Sequence, residues 1–197
     1  MPSVRPREVT HLATDQLWWR IYSPGGAHPR LWNQFRHYGP IAKGRFDHHI
    51  GPASFQERAI IYAANSFRAA IAETFQEHRV IRLRDDPPYI VGFDFRRLVL
   101  VLDLCGPWPT RVGASQALAT GDRRRSRRWS QAIYSSYAQV EGLVYPSSML
   151  GGTTSIALYE HAIDAIGLVP LFNRSLADPR LRGSITTVAA QIGYRVV

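Results

Sequence analysis

Four stretches of the chain carry side chains able to bind and polarise an anionic ligand. They are Trp19-Arg20-Ile21-Tyr22, Gly44-Arg45-Phe46, Ile61-Tyr62-Ala63 and Gly142-Leu143-Val144-Tyr145-Pro146-Ser147, with Glu73 placed eleven residues after Tyr62. An arginine fork grips paired phosphate or carboxylate oxygens. An aromatic face suits a flat cationic ring, a carboxylate stabilises a developing positive charge, and a hydroxyl orients its neighbours. Taken singly, each residue has an ordinary explanation. Glu73 falls roughly opposite the Phe67, Ile71 and Phe75 face of a helix, where a carboxylate is usually solvated. Tyr62 alone reads as a half-buried strand tyrosine, Arg45 as a loop arginine, and Ser147 as a turn former after proline. What is specific is the ordered set with its 62-to-73 spacing.

These residues need elements to position them. Residues 18–22 read as a short strand and 59–63 as a second, before Asn65 or Ser66 caps a helix running to about residue 77. Segments 89–95 and 99–104, rich in β-branched and aromatic residues, predict two strands or a tight hairpin around Arg96-Arg97. A helix follows over 126–140, then strands over 142–146 and 154–160 separated by Ser147-Ser148 and Gly151-Gly152. One or two short helices are expected beyond Pro170. Strands early and late with helices between them predict an α+β class with a compact mixed or antiparallel sheet core. The expected organisation is an N-terminal extension over 1–17, a catalytic domain over 18–170 and a C-terminal extension over 171–197.

Composition narrows the function classes. The 24 Lys+Arg against 15 Asp+Glu give a net charge of +9, carried almost wholly by arginine, which implies an anionic ligand or partner. One cysteine, Cys105, excludes a disulfide framework and suits a reducing cytoplasm; continuing the apolar run 98–104, it reads as a buried small hydrophobe. The N-terminus lacks the apolar core of a signal peptide, and no apolar run approaches a membrane span. Gly-x-x-x-x-Gly-Lys and Gly-x-Gly-x-x-Gly loops are absent, so any dinucleotide is held another way. The seven histidines lack metal-ligand spacing, which predicts no catalytic metal, and Ser147 and Ser148 lie outside a Gly-x-Ser-x-Gly elbow.

From Trp19 to Glu160 the ordered set resembles the RES family, named for its arginine, glutamate and serine. The resemblance implies a fold similar to the diphtheria-toxin-like ADP-ribosyltransferases. It implies an enzyme that takes NAD⁺ as substrate, with no further cofactor, and cleaves the nicotinamide–ribose bond as the toxin of a toxin–antitoxin pair. Carried over by position, Arg45, Tyr62, Glu73 and Ser147 form the catalytic set, and Arg20 and Tyr22 bind substrate. Glu73 would hold the ribose hydroxyls and stabilise the oxocarbenium ion, Arg20 and Arg45 would grip the pyrophosphate, and Tyr62 would lie against nicotinamide. Ser147 would bind substrate or orient Glu73; Ser148 duplicates it, and either can face the site. Water, phosphate or a protein side chain could accept the ADP-ribosyl group, giving a glycohydrolase, a phosphorylase or a mono-ADP-ribosyltransferase. The implied setting is bacterial and cytoplasmic. The implied partner is a helix-turn-helix antitoxin, through which alone nucleic acid would be contacted.

A rival reading comes from Arg123-Arg124-Arg125-Ser126-Arg127-Arg128, five charges in six residues beside Trp129. Such a run neutralises phosphates, with an aromatic for stacking, and would suit a nucleic-acid-binding module without catalysis. The same run also reads as a solvated loop and helix start, or as a dock for an acidic partner. The helix it enters turns aromatic and apolar after its first turn, unlike a groove-reading helix, which favours the enzyme.

Overall fold

Alternating apolar positions build the strands, and small or β-branched residues let them pack closely on both faces. The computed structural model describes residues 1–84 and 86–197. The elements run β1 (Val9–Leu12), β2 (Trp18–Tyr22), β3 (Arg36–Gly39), β4 (Ser54–Ala64), α1 (Phe67–Phe75), β5 (Val80–Ile81), β6 (Tyr89–Phe93) and β7 (Val99–Asp103). They continue with α2 (Trp108–Arg111), α3 (Ala117–Thr120), α4 (Arg123–Ser136), β8 (Gly142–Pro146), β9 (Thr154–Tyr159), β10 (Phe172–Ser175), α5 (Arg182–Ile192) and β11 (Arg195–Val196). Among the described residues, nine strands form one sheet in the order β1-β7-β8-β9-β4-β2-β6-β10, with β3 also on β4; β5 and β11 pair separately. All pairings in the large sheet are antiparallel except β7 with β8, so the expected α+β class with a mixed sheet core is the one observed.

The sheet is split where it matters. β2 and β4 share one registered pair, Trp19 with Ala64, and then diverge. On β4, Ala59, Ile61 and Ala63 enter one core with Trp18, Val91, Phe93 and Leu158, while Ile60 and Tyr62 enter the other with Phe46, Leu102, Ile133 and Tyr159. A third core joins α1 to α5 and β6 through Ile71, Ile185 and Ile90. Among the described residues, no helix is long and apolar enough to cross a membrane.

Several sequence expectations are corrected. Of the two arrangements expected over 89–95 and 99–104, the structure has two strands and not the hairpin: β6 pairs with β2 and β10, and β7 with β1 and β8. The Arg97 guanidinium, bonded to Glu141 at 2.6 Å and Asp164 at 2.5 Å, draws the connecting segment away from a tight turn. The helix expected over 126–140 begins three residues earlier, because Asp122 caps it by accepting from the Arg124 amide at 2.8 Å. The arginine run is therefore helical and not a loop. Cys105 is exposed, because Asp103 accepts its amide at 2.8 Å and turns the chain outward at the end of β7. β1, β3 and β10 are strands without a clear sequence signal; each is short and lies toward an edge of the sheet.

Candidate functional site

Ser66 starts the helix that carries Glu73. Its hydroxyl accepts from the Ala69 amide at 3.2 Å, satisfying one of the donors a helix start leaves free. Ala69, Ala70, Ile71 and Ala72 are buried, so α1 seats closely against β2 and β4. A cleft of about 390 Å³ opens beside it, in the split between β2 and β4. The face of α1 bearing Ala70, Glu73, Thr74 and Gln76 lines that cleft. Glu73, opposite Phe67, Ile71 and Phe75, thus faces a cavity and not bulk solvent, and the cleft also reaches round to Ala70 and Thr74.

Glu73 is held by a converging set of donors. Its Oε1 accepts from the Ser147 hydroxyl at 2.5 Å and from the Ser148 amide at 3.0 Å. The Gln76 side-chain amide donates to Glu73 Oε2 at 3.3 Å and to the Glu73 carbonyl at 2.7 Å. Ser147 Oγ in turn accepts from the amides of Met149 and Leu150 at 3.1 and 3.2 Å, which aims its proton at the carboxylate. Ser147 therefore meets Glu73 through its hydroxyl, and Ser148 through its backbone.

Arg45 and Tyr62 face the same cleft. The Arg45 guanidinium donates to the Gly121 carbonyl at 2.7 Å, a neutral acceptor that leaves its charge uncompensated. Burial and then the neighbouring Arg123 lower its pKa, while Glu73, Tyr145 and Tyr62 act the other way. The Tyr62 hydroxyl is buried with no well-directed hydrogen-bond partner among the described residues. Burial, and then Asp47, hold this phenol far above its usual pKa, so it presents a proton. A Cβ at Gly44 would lie 3.2 Å from that hydroxyl and 3.0 Å from Asp47, which accounts for a glycine just before Arg45.

Arg20 reaches the cleft from β2, its guanidinium donating to the carbonyls of Trp32 at 2.8 Å and Gln34 at 3.2 Å. Burial, and then Arg30 nearby, bring its pKa down to about 9, which leaves it charged at neutral pH. Tyr22 is not among the cleft's lining residues. Its hydroxyl donates to Asn173 at 3.0 Å, and it lines a second depression of about 230 Å³ that shares Arg20, Ile21 and Arg30 with the cleft.

The structure adds residues that sequence reasoning passed over. Tyr145, packed on Phe46 with ring centroids 4.5 Å apart, lines the cleft; burial, then Tyr62 and Glu73, raise its phenol well above the usual value. It stands inside the quoted 142–147 stretch, so its signal was present. Gln76 follows Glu73 by one helical turn, the spacing at which helix neighbours meet. Arg123, which donates to Gln76 Oε1 at 3.0 Å, was visible only as one charge of a cluster. Arg30 and Arg36 lie on segments with no periodic signal.

Among the described residues, the charged side chains lining the cleft are Arg20, Arg30, Arg36, Lys43, Arg45 and Arg123 against the one carboxylate of Glu73. Two of these cations are spoken for: Arg36 pairs with buried Asp47 at 2.7 Å, and Lys43 with Glu77 at 2.6 Å. The remaining four meet only neutral groups in their side-chain hydrogen bonds or, for Arg30, none among the described residues. Such a cavity binds a ligand carrying several negative charges and presents it to a single oriented carboxylate. Among the described residues, no three His, Cys, Asp or Glu side chains converge as a metal ion requires.

Comparison with known proteins came to the same region of the chain. The family model for the RES domain matches residues 17–177. No curated protein sequence matches the chain. Its fold is similar to that of a chain in the crystal structure of the M. tuberculosis MbcT–MbcA toxin–antitoxin complex, with a TM-score of 0.57 and 15% identity over 90% of this chain and 92% of that one.

Proposed function

This chain belongs to the RES domain family, and from that premise we propose that it is an enzyme that breaks the nicotinamide–ribose bond of NAD⁺. The observation that carries this reading is Glu73, fixed by Ser147, Ser148 and Gln76 inside a cleft whose other charged lining side chains, among the described residues, are cations. Bond cleavage sends the electron pair of the C1′–N bond onto the nicotinamide nitrogen, neutralising the ring, and leaves positive charge on C1′ and the ribose oxygen. A carboxylate already oriented beside that ribose stabilises the charge without reorganising. Arg20 and Arg45 hold the pyrophosphate, so the substrate is positioned without a glycine-rich loop. Tyr62 and Tyr145, kept as phenols, line the nicotinamide end.

An acceptor then attacks C1′ from the vacated side. Water gives ADP-ribose and a proton, and phosphate gives the 1-phosphorylated ADP-ribose; a protein side chain would make the reaction a mono-ADP-ribosylation. The structural neighbour belongs to a toxin–antitoxin complex, which supports a toxin role with an antitoxin as partner; the setting would be the cytoplasm. That partner would carry a helix-turn-helix domain and supply the contact with nucleic acid.

The test is to incubate the purified protein with NAD⁺, with and without phosphate, and to quantify nicotinamide and the ADP-ribosyl product. Nicotinamide release that disappears in Glu73→Ala, with that variant still folded, supports the reading. Equal release by Glu73→Ala would sink it, and dependence on phosphate would name the acceptor.

A further inference from the structure

The depression beside the cleft is unlike the cleft itself. It is lined by Arg20, Ile21, Tyr22, Ser23, His28 and Arg30, with no carboxylate among the described residues. Two arginines stand close enough there for Arg30 to depress the pKa of Arg20. Neither is neutralised: Arg20 bonds to backbone carbonyls, and Arg30, half-buried, makes no side-chain hydrogen bond among the described residues. Only the Arg30 amide is engaged, donating to the Ser23 carbonyl at 2.9 Å, which fixes the loop and so the guanidinium's origin. Two like charges held side by side and partly desolvated are unfavourable unless an anion completes the set.

Position identifies that anion. Arg20, Ile21 and Arg30 line both the cleft and the depression, whereas Glu73, Tyr62 and Tyr145 line the cleft alone, so the depression opens from the cleft at Arg20 and Arg30 and not at the reacting carboxylate. A dinucleotide with its nicotinamide ribose at Glu73 directs its adenosine ribose past Arg20 toward the depression. Sites that select an unphosphorylated adenosine ribose place a carboxylate on its two hydroxyls, and an arginine in that place accommodates a 2′-phosphate. Here the available side chains are two arginines, a serine hydroxyl and a histidine. Tyr22 is occupied by Asn173 and serves as wall.

We infer that the depression formed by Ser23, His28 and Arg30, next to the pyrophosphate-binding Arg20, is a subsite for a phosphate monoester on the adenosine ribose, so that this protein favours NADP⁺ over NAD⁺. The inference rests on the reading of the cleft as a nicotinamide dinucleotide site. Arg30 is its specificity residue, touching the 2′-phosphate and nothing at the reacting end.

The test measures binding apart from turnover. The whole protein and its Arg30→Ala variant are titrated calorimetrically with ADP-ribose and with 2′-phospho-ADP-ribose, and nicotinamide release is followed separately with NAD⁺ and NADP⁺. The expected result is that wild type binds the phosphorylated compound about tenfold more tightly, the effect of a charge-assisted hydrogen bond or two. In Arg30→Ala that preference disappears while the thermal transition is retained, and Arg30→Lys restores part of it. Equal affinity for the two compounds, a preference untouched by Arg30→Ala, or no binding of either overturns the subsite. Equal affinity accompanied by Glu73-dependent nicotinamide release would remove the subsite and leave the proposed reaction standing. A phosphate preference without release from either dinucleotide would do the reverse.

Discussion

Glu73 illustrates how little one residue reveals by itself. Its helical position marked a solvated carboxylate, and only the cleft over that face changes the reading. Its partners were spread along the chain: Gln76 a turn away, Ser147 and Ser148 more than seventy residues on. The Ser147 hydroxyl donates to an anion, and such a bond contributes about 1.5–3 kcal/mol. We expect Ser147→Ala to keep its fold and to lower kcat by roughly ten- to a hundredfold, since the interaction orients the group that meets the transition state. A fall in KM affinity with kcat unchanged would show that Ser147 binds substrate and does not position Glu73. Ser148→Ala should change little, because that residue donates through its amide.

At the scale of elements, the two supports of the site are α1 and the β8–β9 pair. Ser66→Ala removes the cap of α1 and should cost about 1 kcal/mol, or some 2–4 °C in Tm, with nicotinamide release per folded molecule unchanged. Gly142→Ala is a harsher change: the new Cβ would lie 2.6 Å from the Ala157 carbonyl oxygen and 2.9 Å from the Leu158 Cα, both backbone. That strand leads directly to Ser147, so we expect a drop in Tm larger than that of Ser66→Ala together with lost activity. Equal melting of the two variants would show that β8 can shift without harm. The helix α4 gives the converse lesson. Five arginines at a helix start oppose the dipole, yet Asp122 caps the helix, Arg123 is drawn into the cleft and Arg127 holds the Ala42 carbonyl at 3.1 Å. Arg124, Arg125 and Arg128 remain exposed, so the cluster is divided between the site, the fold and the surface.

Across the whole molecule, a buried polar belt ties the loop after Arg45 to β4, α4 and the end of β9. Asp47 accepts from Arg36, the Ile41 amide and His49, and these bonds outweigh burial to hold its carboxyl far below the usual range. Glu160 accepts from His48 at 3.2 Å, from the Ala59 amide at 2.7 Å and from the Tyr134 hydroxyl. Burial alone would raise its pKa, but those bonds bring it from 4.5 to about 2. A depressed folded pKa contributes stability above the unfolded value that is lost as pH falls through the folded one. For Glu160 that window runs from about pH 4.5 down to about 2. His48 acts with the same sign from below 6.5, because burial lowers its pKa and protonating it opposes folding. Melting temperatures should therefore decline below pH 6.5 and more steeply below 4.5. Glu160→Gln should start lower and lose less between pH 4.5 and 2; parallel curves for the two proteins would refute this assignment.

The α+β class, most of the central elements and the ordered set of chemically apt residues can be read along the chain, because periodicity, capping and turn chemistry are local. A cap at Asn65 or Ser66 and the helix bearing Glu73 were legible for that reason, and the structure has Ser66 as the cap. Folding in three dimensions is what parts β2 and β4 after one registered pair, lays the resulting cleft over Glu73 and brings the Ser147 hydroxyl to that carboxylate. It also separated β6 from β7, exposed Cys105 and brought Arg30 beside Arg20. These depend on which distant segments share a cavity or a salt bridge, and side-chain spacing along the chain carries no record of such meetings.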